Sequence, residues 1–148
     1  MLLEVKFKKL HSNSKIPTWG SKNAAGADAY ACLDTAMITI NPGETKMISL
    51  GFSTEFSEGY GAFLMARSGI ASKRGLAPAN KVGLIDADYR GEWFVALHNH
   101  SSEIQIVEDG ERICQIVFQE VEHPDFIEVS ELTETERGAG GFGSTGTN

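Results

Sequence analysis

The sequence predicts a mainly β protein built from antiparallel strands, of the sandwich, barrel or jelly-roll-like type. Apolar residues recur with a period of two, turn signals separate these runs at short intervals, and one brief stretch favours a helix. The chain has 148 residues, 41% hydrophobic and 22% charged, which is usual for a single folded domain.

The strands follow from the alternation of apolar and polar residues. Val5 and Phe7 alternate with lysines in the first strand. A longer run predicts one continuous strand, with inward residues Ile48, Leu50, Phe52, Thr54 and Phe56. Two later runs repeat the pattern, with inward residues Trp93, Val95, Leu97, Cys114, Ile116 and Phe118. Each run therefore has one face suited to a core.

Turn and helix signals divide these strands. The turns are predicted at 41–43, 58–61, 109–110 and 123–124, which are rich in Gly, Pro, Asn and Asp. The helix is expected from about Ser68 to Lys73, with Gly75 ending it.

Charge and cysteine content limit the possible roles. The net charge of −7 argues against a nucleic-acid-binding protein, which would carry a basic patch. We expect Cys32 and Cys114 to be buried thiols in a reducing compartment, because both lie among apolar residues. With no apolar run of membrane-spanning length, we predict a soluble cytoplasmic protein.

Two carboxylates stand near the end of an apolar run that starts at Gly83. On an extended hairpin arm, Asp86 and Asp88 would face the same side. One of them could act as a general base toward water, or the pair could hold a divalent cation. Alternatively, they form an ordinary turn.

Further polar groups suit an anionic ligand. Arg67, Ser68 and Gly69 come where a strand gives way to the helix, a favourable place for a phosphate. The glycine-rich segment 137–146 keeps Arg137, Phe142, Ser144 and Thr145 among its glycines, so that it could wrap a polyphosphate and stack on a base. His98 and His100 lack a third ligand nearby, and we do not expect a metal there.

Together, these segments resemble the trimeric dUTP pyrophosphatase (dUTPase) family. Its five motifs occur in order across residues 24–146, at 25–29, 67–75, 83–91, 110–115 and 137–146. The resemblance implies a distorted jelly-roll, β-clip-like antiparallel fold with one short helix. It implies a homotrimer that shares its active sites, with residues 1–136 as the core domain and 137–148 as a flexible arm.

The resemblance also implies the chemistry, which is hydrolysis of dUTP to dUMP and pyrophosphate. This reaction keeps uracil out of DNA and supplies dUMP for dTMP synthesis. Asp86 would activate the water, and Tyr89 would pack on the deoxyribose and exclude a ribose. The residues expected to contact the uracil or its nucleoside are Asn80, Gly83, Leu84, Ile85 and Phe94.

The remaining implied contacts concern the triphosphate. Arg67, Ser68, Gly69 and Gln115 would hold the phosphates. Mg²⁺ would be bound chiefly by the triphosphate, with Asp28 reaching it through water. In the arm, Phe142 would stack on uracil, and the residues expected on the outer phosphates are Arg137, Gly143, Ser144 and Thr145.

Some residues depart from the family pattern, and two other functions need weighing. Ala27, Ala29 and Ala66 are small where the family commonly has larger residues or Pro. A dCTP deaminase would need a glutamate within 67–75, where the chain has none. A nucleotide-switched regulatory protein on the same scaffold stays open, since it could keep every motif.

Overall fold

A computed structural model describes residues 2–142 of the chain. Within this range the chain forms twelve strands and one helix. The strands are β1 (Val5–Lys9), β2 (Thr18–Trp19), β3 (Ala27–Tyr30), β4 (Met37–Ile40), β5 (Thr45–Ser49), β6 (Phe52–Phe56), β7 (Tyr60–Met65), β8 (Leu76–Pro78), β9 (Val82–Ile85), β10 (Phe94–Asn99), β11 (Gln105–Glu108) and β12 (Arg112–Glu120). The helix α1 spans Ser68–Arg74.

The strands form four sheets in which the described pairs are antiparallel. The largest has the order β2-β3-β12-β7-β9, and a second has the order β5-β10-β8. Two-stranded sheets join β1 to β6 and β11 to β4. This arrangement confirms the predicted mainly β, antiparallel fold with one short helix.

The core lies where these sheets face one another. Trp93 and Phe52 are nearly completely buried, with ring centroids 5.3 Å apart, and Phe7 meets Phe52 edge-on at 5.1 Å. Burial of such rings is the largest source of stability in a domain of this size. Because Trp93 precedes β10, this packing fixes the start of that strand, where Phe94 lies.

The prediction of one continuous strand from Ile48 to Phe56 is wrong, because the chain breaks between β5 and β6. Gly51 takes a φ of +76°, which favours glycine. A Cβ atom at this position would lie 2.5 Å from the Cys32 sulfur. The predicted inward residues are nevertheless all buried, so the alternation was correct and only the continuity was not.

The helix confirms its prediction. Gly75 ends it in the left-handed conformation (φ +66°), and its N–H donates to the Ala71 carbonyl at 3.1 Å. In the last turn the Arg74 guanidinium contacts the Glu111 carboxylate and the Ile106 carbonyl, and donates to the Gln105 side chain at 3.1 Å. These contacts fix α1, and with it Arg67 at its start, against β11.

The hairpin whose arm was predicted to carry Asp86 is not formed by two neighbouring strands that pair with each other. Strand β8 pairs with β10, whereas β9 pairs with β7 in another sheet. Lys81, with a φ of +67°, lies in the connection between them. Asp86 and Asp88 do not share a strand face either, because β9 ends at Ile85 and Asp88 lies in the turn that follows.

The described chain beyond β12 contains no helix or strand. Residues 122–139 are exposed. Within residues 2–142, no helix has the length and apolar character needed to cross a membrane.

Candidate active site

Several polar residues meet in one row across the five-stranded sheet. Asp28 on β3 is opposite Gln115 on β12, and Gln115 is opposite Met65 on β7. Met65 is in turn opposite Val82 at the start of β9. Arg67 lies two residues beyond Met65, so the sheet brings Asp28, Arg67 and Gln115 together, as expected for one site.

The arginine cluster comprises Asp28, Arg67, Arg112 and Gln115. The Asp28 carboxylate is mostly buried, and it accepts from Arg67 Nε at 2.7 Å and from Arg112 Nη1 at 3.2 Å. A buried carboxylate is tolerated when it is paired in this way. Gln115 Nε2 donates to the Ala66 carbonyl at 2.9 Å. The cluster therefore presents positive and amide donors in fixed positions, which suits an anion.

Arg112 is the member of this cluster that the sequence analysis did not include in the site. Its side chain is half-exposed, and its carbonyl also accepts from Arg67 Nη1 at 3.4 Å. The signal that could have identified it is its place in the fourth motif, three residues before Gln115. Ser68 and Gly69 follow Arg67 at the exposed start of α1.

A second group of predicted residues lines a cavity of about 270 Å³, here called the Tyr89 pocket. Its lining residues are Met47, Leu84, Ile85, Asp86, Tyr89, Glu92 and Phe94. Apolar walls with a few polar groups are typical of a site for a ring that has polar edges. Asp86 is the carboxylate on the wall that could accept a proton from a reacting water.

The Tyr89 ring is fixed within this pocket. Its hydroxyl donates to the Glu92 carbonyl at 2.9 Å, and its N–H donates to the Asp86 carbonyl at 3.2 Å. Gly91 makes room for the ring, because a Cβ atom there would lie 2.4 Å from the Tyr89 hydroxyl oxygen. The ring and the carboxylate of Asp86 therefore belong to one compact turn. Glu92, like Met47, is a pocket residue that the sequence analysis missed.

A larger groove of about 640 Å³ also has Asp86 on its wall. It also contains Glu58, Asp88 and His123. Leu84 and Asp86 are the predicted site residues that it contains, whereas five predicted residues line the Tyr89 pocket. The smaller cavity is therefore the better candidate for the substrate. Asn80 lies outside both cavities, in an exposed turn.

The two groups lie at opposite ends of the β7–β9 pair. Asp86 follows Ile85, which is opposite Ala62, near the start of β7. Arg67 lies past the other end of β7, in extended backbone. At the usual rise of a strand, the six residue steps from Gly61 to Arg67 span about 20 Å. One chain therefore does not bring the arginine cluster to the Tyr89 pocket.

The predicted arm residues are placed only in part. Arg137 Nε donates to the Gly140 carbonyl at 2.8 Å, and Phe142 is fully exposed. Within the described chain, the arm does not cover either group of site residues. Gly143, Ser144 and Thr145 lie outside the described residues.

Two other candidate reactive groups are explained by packing. Burial raises the pKa of the Cys114 thiol to about 12 and also raises the pKa of Cys32, so neither thiol is a nucleophile at neutral pH. His98 and His100 contact each other edge-on, with ring centroids 4.3 Å apart. Among residues 2–142, no three His, Cys, Asp or Glu side chains cluster as a metal site.

Comparison with known proteins accounts for this arrangement. The dUTPase family model matches residues 12–146. The chain is 46% identical to the deoxyuridine 5′-triphosphate nucleotidohydrolase of Nautilia profundicola, covering 97% of this chain and 99% of that protein. It is 50% identical to the enzyme of the same name from Desulfitobacterium hafniense, covering 90% of this chain and 89% of that protein.

Solved structures agree. A variant of the Staphylococcus bacteriophage 80alpha dUTPase with dUpNHpp superposes with a TM-score of 0.87 at 26% identity, covering 97% of this chain and 99% of the other. Another structure of this phage dUTPase with the same nucleotide gives a TM-score of 0.84 at 27% identity, with the same coverage. The family match, the sequence identity and the fold all agree, and the chain belongs to the dUTPase family.

Proposed function

We propose that this protein hydrolyses dUTP to dUMP and pyrophosphate, with Asp86 as the base. The observation that carries the assignment is the Tyr89 pocket, where Asp86 shares a small, partly apolar cavity with Leu84, Ile85, Tyr89 and Phe94. Sequence identity of 46–50% to named deoxyuridine triphosphate nucleotidohydrolases supports the same reaction.

The reaction needs a base beside a positioned water. Asp86 accepts a proton from the water as its oxygen bonds to the α-phosphorus. The bond from that phosphorus to the bridging oxygen of the β-phosphate breaks, and pyrophosphate leaves. Asp86 then gives up its proton to solvent. The two products therefore contain all the atoms of dUTP and one water.

The Tyr89 pocket accounts for the choice of nucleoside. The Tyr89 ring is held by the hydrogen bond of its hydroxyl, and Gly91 makes room for it. The ring faces the deoxyribose and leaves no space for a 2′-hydroxyl. Backbone groups of β9, at Gly83, Leu84 and Ile85, bind the uracil edge together with Asn80. A nucleotide whose base leaves these groups without hydrogen-bond partners binds more weakly. The methyl group of thymine is excluded by steric contact with the pocket.

The arginine cluster accounts for the phosphates. Arg67, Ser68, Gly69 and Gln115 bind phosphate oxygens, and the Asp28–Arg112 contacts keep Arg67 in position. Bound Mg²⁺ supplies charge neutralisation at the triphosphate. Asp28 fits such an ion through water, because each of its oxygens keeps a lone pair beyond the one that a guanidinium uses.

The distance of about 20 Å between the two groups supports a homotrimer with shared sites. A triphosphate is far shorter than this span, so the phosphates must meet an arginine cluster from another copy of the chain. Exposed apolar residues after β12 support the same assembly, since such surface is usually covered. These residues are Phe126, Ile127, Val129 and Leu132, which are 56–95% exposed.

The C-terminal arm closes the site. We place Phe142 on the uracil and Arg137, Gly143, Ser144 and Thr145 on the outer phosphates, once substrate is bound. Closure over the substrate excludes bulk water and completes the set of donors. The full exposure of Phe142 in the described chain is consistent with an arm that is free to do so. The two free thiols are consistent with the cytoplasm as the location.

Product analysis tests this function. The purified protein is incubated with Mg²⁺ and each of dUTP, dTTP, dCTP and UTP, and the products are separated. We expect dUMP and pyrophosphate from dUTP alone. Deoxyuridine nucleotides from dCTP would instead indicate a deaminase. Binding of dUTP without turnover would favour the regulatory alternative.

A further inference from the structure

The segment 86–92, here called the Tyr89 loop, is closed largely on itself. Its first residue is Asp86, whose carbonyl accepts from the Tyr89 N–H, and Arg90 Nη1 donates to the Ala87 carbonyl at 2.6 Å. The last residue of the loop is Glu92, whose carbonyl accepts from the Tyr89 hydroxyl. The loop is therefore braced by its own hydrogen bonds, and directly after Glu92 the chain is anchored by Trp93, whose N–H donates to the Phe52 carbonyl at 3.0 Å.

The Glu92 side chain adds a second connection to the rest of the protein. One carboxylate oxygen accepts from Ser49 Oγ and contacts His11 Nε2 at 2.9 Å. Ser49 ends β5, and its hydroxyl accepts from the Gly51 N–H at 2.8 Å, at the break between β5 and β6. We call Ser49, Glu92 and His11 the clasp. Its members lie in three separate segments of the chain, and the Glu92 side chain is only 24% exposed.

We propose that Glu92 is a positioning residue for sugar selection. Held by Ser49 and His11, it fixes its own carbonyl beneath the Tyr89 hydroxyl and thereby fixes the ring that faces the sugar. The inference rests on the proposed placement of the deoxyribose against Tyr89. Glu92 lines the Tyr89 pocket, whereas Ser49 and His11 do not, and none of the three is assigned above to substrate contact.

The physical basis is that the Tyr89 ring can exclude a 2′-hydroxyl by steric contact only if the ring keeps its position. Hydrogen bonds to a carboxylate are stronger than those between neutral groups, so the clasp is a firm support for a short loop. Without it, the ring can retreat and admit the extra hydroxyl of a ribose. Removal of the clasp should therefore reduce the discrimination between dUTP and UTP, rather than turnover alone.

The test compares Glu92→Ala, Glu92→Gln, Tyr89→Phe and the double variant Tyr89→Phe with Glu92→Ala. For each protein, kcat/KM is measured with dUTP and with UTP. We expect Glu92→Ala to lower the dUTP preference about tenfold, which is the size that one lost charged hydrogen bond supports. Glu92→Gln should lower it less, because the amide oxygen still accepts from Ser49.

The double variant distinguishes an effect of Glu92 on the position of the Tyr89 ring from a general disturbance of the fold. Tyr89→Phe keeps the ring but removes the hydroxyl that ties it to the Glu92 carbonyl. If the clasp acts through this tie, the second substitution adds little to the first. Additive losses in the double variant, or an unchanged dUTP preference in Glu92→Ala, would overturn the inference.

Glu44→Ala is the matched control. Glu44 also holds a turn, accepting from the Asn41 N–H at 2.7 Å, and it does not line the Tyr89 pocket. It should lower the melting temperature without changing the dUTP preference. If Glu92→Ala does not fold, Glu92→Gln and Ser49→Ala carry the test. If the wild-type protein shows no preference for dUTP over UTP, the proposed position of the deoxyribose against Tyr89 is wrong, independently of the role of the clasp.

Discussion

The arginine cluster and the Tyr89 pocket are held in different ways. Asp28 and Arg67 lie on or beside central strands of the largest sheet, and two guanidinium groups share one buried carboxylate. The Tyr89 pocket is built from the edge strands β9 and β5, the start of β10 and a loop. Leu84, Tyr89 and Phe94 remain 40–59% exposed there.

Under the proposed function, this difference separates two tasks. Binding a triphosphate needs fixed charges, which the sheet supplies through buried, paired groups. Recognising a nucleoside needs an apolar surface that stays open until the ligand arrives. Because the two parts lie at opposite ends of β7, each can be damaged without the other.

The largest effect should come from Asp86→Asn. We expect turnover to fall about 10³-fold, because the amide cannot accept the proton from water, while dUTP binding persists through the untouched arginine cluster. Single-turnover kinetics and equilibrium binding measure the two effects. Asp88→Asn is the control, since Asp88 lies in the adjacent turn and outside the Tyr89 pocket. Near-normal turnover by Asp86→Asn would show that another group is the base.

Deletion of residues 137–148 should lower kcat/KM for dUTP about 10²-fold, because the substrate loses its closing donors. The melting temperature should hardly change, since Arg137 and Phe142 are exposed and do not contact the core. Steady-state kinetics and thermal unfolding test both statements. Full activity after truncation would contradict a role for the arm.

A mixture of two inactive variants should recover activity. Asp86→Asn damages the Tyr89 pocket, and Arg67→Ala damages the arginine cluster. When the two are unfolded and refolded together in equal amounts, about one quarter of wild-type activity should return, because a shared site draws each part from a different copy. Each variant refolded alone is the control. No recovery in the mixture would place both parts of a site in one chain.

The smallest effect concerns Cys114, which lies beneath the arginine cluster beside Gln115. Its pKa of about 12 predicts almost no alkylation of the folded protein at pH 8, and full alkylation in denaturant.

The same pKa makes stability depend on pH. Between about pH 9 and pH 12 the unfolded chain releases the Cys114 proton and the folded chain keeps it, so stability should fall as pH rises. Mass spectrometry and denaturation midpoints measure these effects. Rapid alkylation of Cys114 at pH 8 without unfolding would contradict the burial.

The regular parts of the fold could be predicted because their signals are local. Alternating residues gave the strands, and Gly75 gave the end of the helix. The break at Gly51 was missed, because the alternation of apolar residues continues through it; the positive φ and the closeness of the Cys32 sulfur, which leaves no room for a Cβ atom, appear only in the folded chain. The connection at Lys81 was missed for a similar reason, because tertiary pairing of β8 and β9 with different strands decided it.

Candidate site residues could be named from short motifs, but their contacts could not be predicted. No local signal joins Asp28 to Arg67 and Arg112, which are 39 and 84 residues away. The sheet order alone brings these three side chains together. Glu92 was missed for the same reason, since Ser49 and His11 come from distant segments and only the folded chain places them beside the Tyr89 loop.

If the sites are shared between copies as proposed, the span between Asp86 and Arg67 along β7 makes the enzyme activity depend on protein concentration. A folded chain that has separated from its neighbours keeps both parts and still has no complete site. On dilution, specific activity should therefore fall with the dissociation of the assembly, while spectra that report the fold stay constant. The amount of the protein in a cell then sets not only how many sites exist but what fraction of the chains can act.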